Sequence, residues 1–147
     1  MEQSFHMLLY RAFHAQRNYL RPYLSEIGLG AGQPKLLNYL AVHGPCMQQQ
    51  LADYFEIDAA AVSRMVTSLQ KGGFIVQRTD EISRRPNYIE LTEAGRQANE
   101  MWQVHCREIQ DIMLQGFTRQ EQEQFAEHLR RVYQNVRNWR EEHPWEI

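Results

Sequence analysis

A mainly α-helical fold carrying one small β-hairpin is predicted, on three observations. Apolar residues recur at helical spacing along most of the 147 residues. One stretch, from Phe74 to Leu91, breaks that rhythm with β-formers on both sides of a polar turn. The punctuation between periodic stretches is short and strong: Gly28 to Gly32, Gly44-Pro45, Gly72-Gly73 and Gly116.

Taken in order, residues 4 to about 24 place Phe5, Leu8, Leu9, Ala12, Phe13, Tyr19, Leu20 and Tyr23 on a long amphipathic helix. Pro22 should kink or end it, because proline has no amide hydrogen. Ile27 to Gly32 reads as a turn. Pro34 opens the next helix where a missing amide costs nothing. Leu36, Leu37 and Leu40 form its buried edge, and His43-Gly44-Pro45 stops it. Leu51, Tyr54 and Phe55 give a short third helix its apolar edge. Asp58 is placed to N-cap a fourth, whose stripe is Val62, Met65, Val66 and Leu69. Gly72-Gly73 caps its far end. Strands run from Phe74 to Arg78 and from Tyr88 to Leu91, joined by a polar tip that carries Arg84 and Arg85. Thr92 can then cap a helix through Ala98, Met101, Trp102, His105, Ile109, Ile112 and Met113, ended by Gly116. Thr118 and Glu121 form a capping box for a last helix with Phe125, Leu129, Val132, Tyr133 and Val136.

Helix, turn, helix, hairpin is the order of a winged helix-turn-helix, which lays one helix in the DNA major groove and a β-loop on the flanking backbone. The predicted fold is therefore mainly α with a small β-wing: a winged lobe over 34–91 and a helical dimerisation region over 1–33 and 92–147. The outer face of the fourth helix supplies Ala60, Ala61, Ser63, Arg64, Thr67, Ser68 and Lys71. Small residues permit close approach, while hydroxyls and cations reach phosphates or base edges. Lys71 and Arg78 are read either as contacts to the DNA backbone or as plain surface charges, and Arg84 and Arg85 suit the minor groove, where narrow tracts concentrate negative potential. The first helix and the two after the wing carry more apolar surface than so small a lobe can cover. A second copy covers it, so a homodimer is expected. Its two recognition helices would lie roughly 34 Å apart and read a palindrome.

These residues also carry a resemblance. Leu51-Ala52, Val62-Ser63-Arg64, Leu69, Lys71-Gly72, Arg78, Asp80, Arg84-Arg85 and Leu91-Thr92-Glu93-Ala94-Gly95 fill the positions of the MarR family pattern. The chain thus resembles the MarR family of bacterial transcriptional regulators along nearly its whole length. It departs at three places: Ser83 where the family often has Asp, Ala61 where Thr or Ser is common, and Ser68 where Arg is common. The resemblance implies a cytoplasmic, DNA-binding homodimer, a repressor of transcription. It also implies a small aromatic effector held between the dimerisation helices and the DNA lobe. Tyr10, His14, Tyr39, His43, Trp102 and His105 are the candidates to line that pocket.

Composition bounds the alternatives. The net charge is −2 and the hydrophobic fraction 43%, so the chain is not basic throughout. Residues 60–91 nevertheless hold five Lys or Arg against three acids, whereas 92–147 hold seven Arg against ten acids. Local balance governs DNA attraction more than the total does. No apolar run is long enough to span a bilayer, and no membrane partner is expected. Cys46 and Cys106 are the two cysteines, read as reduced and inert. No CxxC, HxxxH or HExxH is present. His14, His43 and His105 leave a metal-responsive regulator open as an alternative, but neither metal nor cofactor is expected. Catalysis finds no phosphate loop, nucleophile elbow or compact carboxylate pair, so the chain is read as no enzyme. A winged helix that binds protein rather than DNA is the other open reading.

Overall fold

The computed structural model describes residues 4–80 and 85–144, leaving aside the side chains of 79, 80 and 85–87. Six helices and two strands run in the order α1 (Phe5–Ile27), α2 (Pro34–His43), α3 (Gln48–Phe55), α4 (Ala59–Lys71), β1 (Ile75–Asp80), β2 (Arg85–Leu91), α5 (Glu93–Met113) and α6 (Arg119–Glu142). The chain divides into two compact units, Met1–Ile109 and Gln110–Ile147. The first helix and most of α5 therefore belong to the same unit as the winged lobe.

Helix ends follow the local chemistry. Ser4 caps α1 through the Met7 amide, Asp58 caps α4 by accepting from the Ala61 amide at 2.6 Å, and Thr118 with Glu121 closes α6 as a capping box. Each satisfies amides that have no partner within the first turn. Pro22 does not end α1. The helix runs on to Ile27 and stops at Gly28, which takes φ 94° and donates its amide to the Leu24 carbonyl. Proline here forfeits one bond, the one its amide would have given to the Asn18 carbonyl, while its own φ already suits a helix. At the end of α4 the left-handed turn belongs to Gly73, with φ 81°, and Gly72 stays helical.

The core lies in the winged lobe. Leu36 and Leu37 of α2, Leu51 of α3, Val62, Val66 and Leu69 of α4, and Ile75 and Ile89 of the hairpin are almost wholly shielded from water. Shielding a side chain of this size stabilises by roughly 1.5–3 kcal/mol. The hairpin is antiparallel, pairing Ile75 with Leu91 and Arg78 with Tyr88, with an irregularity after Arg78. Cys46 adds a bridge on the other side of β2: its amide donates to the Ile89 carbonyl at 3.2 Å, and its carbonyl accepts from the Ile89 amide at 2.7 Å. Tyr54, on the apolar edge of α3, is 55% exposed. Its ring instead joins Tyr39, His43 and Phe55 in a surface cluster.

The hairpin is locked to α5 at its root. The Thr92 hydroxyl donates to the Gly73 carbonyl at 2.6 Å and accepts from the Gly95 amide at 3.1 Å. The Thr92 amide donates to the Phe74 carbonyl. At Gly95 a Cβ would stand 2.0 Å from that same carbonyl oxygen, so only glycine allows this approach.

Helices α1 and α6 contain no buried residue. Phe5, Leu8, Leu9 and Phe13 lie open on α1, and Phe125, Leu129, Tyr133 and Val136 on α6. No helix among the described residues is long and apolar enough to cross a membrane.

Candidate nucleic-acid interface

The period of α4 separates its two faces. Val62, Val66 and Leu69 face the core, which leaves Ala60, Ser63, Arg64, Thr67, Ser68 and Lys71 exposed, with Ala61 half-buried at the first turn. Ser63, Arg64, Thr67, Ser68 and Lys71 together line one shallow depression of about 390 Å³. Two cations and three hydroxyls thus share a surface with no acid among them. Arg64 has no hydrogen-bond or ion-pair partner among the described residues, so its guanidinium is available to an anion.

Not every hydroxyl is equally available. Thr67 donates to the Ser63 carbonyl at 2.9 Å, which leaves it only as an acceptor and a methyl contact. Ser68 accepts from the Gln33 side-chain amide at 2.8 Å and keeps its own proton for a further partner. Arg78 is paired with Glu90 on the facing strand at 2.5 Å, so its charge is already partly answered. Arg84 lies outside the described residues. Arg85 begins β2, opposite Asp80, but its side chain lies outside them.

The six residues suggested for an effector pocket do not share one cavity. Tyr10 stacks on His14 along exposed α1. Tyr39 and His43 belong to the surface cluster with Tyr54. His105 stacks on Tyr23, centroids 3.6 Å apart. Its Nδ1 lies 3.0 Å from the Glu108 carboxylate, to which Tyr19 donates at 3.1 Å. That cluster shifts its members. Burial, then the Glu108 hydrogen bond, pushes the Tyr19 hydroxyl up to about 12. Hydrogen bonds from His105 and Tyr19 hold Glu108 below the usual carboxylate range. Trp102 alone of the six lines a cavity of about 580 Å³, between α1, the turn before α2, α2 itself and α5. Phe13, Leu20 and Leu24 give that cavity apolar walls, and Arg17, Arg21 and Lys35 bring three cations, with no acid among the lining residues.

The three cations and Gln33 are what sequence reasoning missed. Arg17 and Arg21 sit four apart, on one helix edge with Phe13, Leu20 and Leu24, so their shared face was legible. Nothing in the glycine-rich turn marks Gln33 as buried. Both cysteines have thiols raised by burial, Cys46 to about 11. Among the described residues no three His, Cys, Asp or Glu side chains are placed to hold a metal ion. His14 and His105 stack on Tyr10 and Tyr23, and His43 packs at a tilt against Tyr39.

The MarR family model matches residues 27–86, the span from the end of α1 into the start of β2. An uncharacterised HTH-type transcriptional regulator of Bacillus subtilis, YxaD, is 30% identical over 97 residues, 66% of this chain and 68% of its own. Among solved structures, a MarR family transcriptional regulator from Silicibacter pomeroyi superposes with a TM-score of 0.78 at 25% identity, covering 88% of both chains. Another, from Listeria monocytogenes and complexed with 26mer DNA, gives 0.82 at 23% identity, covering 92% of this chain and 90% of that one. With the helix order, the hairpin and the outward face of α4 all in agreement, the chain belongs to the MarR family of transcriptional regulators.

Proposed function

We propose that the chain works in the cytoplasm as a homodimer that binds a palindromic operator and represses transcription until a small effector releases it. The observation that carries this reading is the acid-free face of α4, where Ser63, Arg64, Thr67, Ser68 and Lys71 meet in one depression. Arg64 is the principal contact, to a phosphate or a guanine edge, because among the residues lining that depression it alone is an arginine, with full charge and a planar donor fork. Ala60 and Ala61 let the first turn enter the groove closely. Lys71 and Arg78 hold phosphates at the rim, and Arg84 and Arg85 of the wing reach the adjoining minor groove. The DNA complex of the Listeria relative supports the choice of duplex DNA over protein as partner.

The effector reading rests on the cavity walled by Phe13, Leu20 and Trp102. Its cations, Arg17, Arg21 and Lys35, favour a small aromatic anion. Arg17 and Arg21, which have no ion-pair partner among the described residues, attract a carboxylate or phenolate with Lys35 beside them, while the apolar walls take a ring.

A labelled duplex from the region upstream of the gene tests the reading. Specific binding is expected, with two chains per duplex, weakening about tenfold or more in Arg64→Ala. Equal affinity for that duplex and for one of scrambled sequence would overturn it.

A further inference from the structure

We infer that Gln33, which lies outside the DNA-facing surface, is the positioning residue that sets recognition helix α4 in its DNA-ready orientation. The inference rests on the operator-binding reading above and adds to it a residue that touches no DNA.

Gln33 is 7% exposed, a polar side chain inside a largely apolar lobe. Its two amide atoms point opposite ways along the chain. Oε1 accepts from the Gly30 amide at 2.8 Å, and Nε2 donates to Ser68 Oγ, 35 residues away, also at 2.8 Å. The side chain cannot flip without setting its NH₂ against the Gly30 N–H. Its backbone is held as well, because its carbonyl accepts from the Leu36 amide as α2 begins. Gln33 therefore joins the turn before α2 to a fixed azimuth of α4.

Ser68 is where that bond arrives, and Ser68 shares its depression with Arg64 and Lys71. A roll of α4 about its axis moves Ser68 and Arg64 together, since they stand one turn apart on one face. The same turn rests on α4 a second time. A Cβ at Gly32 would lie 3.1 Å from Met65 Cε, so backbone and helix are already in contact there. Ala31, Gly32, Pro34 and Lys35, the immediate neighbours of Gln33, line the cationic cavity. The residue that orients α4 is thus flanked on both sides by the wall of the proposed effector site. A displacement of that wall is delivered to the recognition surface through the Gln33–Ser68 bond and the Gly32–Met65 contact.

The test is a double-mutant cycle on operator affinity, using Gln33→Leu, Ser68→Ala and the pair, each with its thermal midpoint and salt dependence measured alongside. Each single change is expected to weaken binding about five- to tenfold, the weight of one hydrogen bond. The pair should be no weaker than the worse single. The slope of affinity against salt should stay that of the wild type, because no cation is removed. Gln33→Glu keeps the bond from the Gly30 amide but draws the Ser68 proton away from DNA and sets a negative charge beside an acid-free face, so it should not recover the loss. A wild type that binds no operator overturns the regulator reading and this inference together. Wild-type binding with additive losses, or with a lowered thermal midpoint and unchanged affinity, overturns the inference alone.

Discussion

Tyr19 gives the clearest consequence at the scale of single residues. Its folded pKa of about 12 stands above the ordinary 10.0, so folding favours the neutral phenol. The stability this contributes is complete below pH 10 and is lost as pH rises toward 12. Tyr19→Phe should therefore lose less stability than the wild type across that window in denaturant titrations; parallel curves would remove the Tyr19–Glu108 bond from the account. Glu108 works in the opposite sense. Its carboxyl is held low, so its contribution is present above the usual carboxylate pKa and is lost as the medium turns more acid. Cys46 behaves as a small apolar side chain. With its thiol pushed up to about 11 and its backbone bridged to Ile89, it should resist alkylation at about pH 8 in the native protein and react on unfolding. Rapid native labelling of Cys46, located by peptide mapping, would contradict this.

Single elements show why some of the structure was legible and some was not. The α4 stripe, its Asp58 cap and the capping box of α6 were all readable, because each depends on residues close to one another along one helix. The span of α1 was not. Whether a proline ends a helix depends on what the following turn gains. Here Tyr23 to Ile27 stay helical, and Gly28 supplies the stop by taking the left-handed conformation that Pro22 cannot. The Gln33–Ser68 bond and the Cys46–Ile89 bridge join positions far apart in sequence, which no local pattern encodes. The same holds for the cavity, which sets Trp102 of α5 beside Arg17 and Arg21 of α1 and Lys35 of α2. The junction of β1 and α5 is the element-scale prediction. Gly95→Ala should destabilise by about 2–3 kcal/mol, because the added methyl meets the Phe74 carbonyl. Urea unfolding of the two proteins measures it, and a change under about 0.5 kcal/mol, the size of an ordinary surface substitution, would mean that the strand root yields easily.

For the whole molecule, the uncovered apolar surface decides what form the protein takes. Phe5, Leu8, Leu9 and Phe13 on one helix, and Phe125, Leu129, Tyr133 and Val136 on another, leave open hydrocarbon that a second copy would cover. Light scattering should give twice the chain mass at micromolar concentration, and Leu8→Glu with Leu129→Glu should halve it. A monomeric wild type would leave the two-copy operator geometry without a basis. The charge split matters at this scale too. With 16 Lys and Arg against 18 Asp and Glu overall, attraction to duplex must come from residues 60–91, where cations outnumber acids, and fade steeply with added salt. The tight meeting of Gly95 with the Phe74 carbonyl also bears on descent. The obstacle is main chain, which any residue at position 74 would carry, so no side-chain exchange there can make room for a larger residue at 95, and glycine should persist.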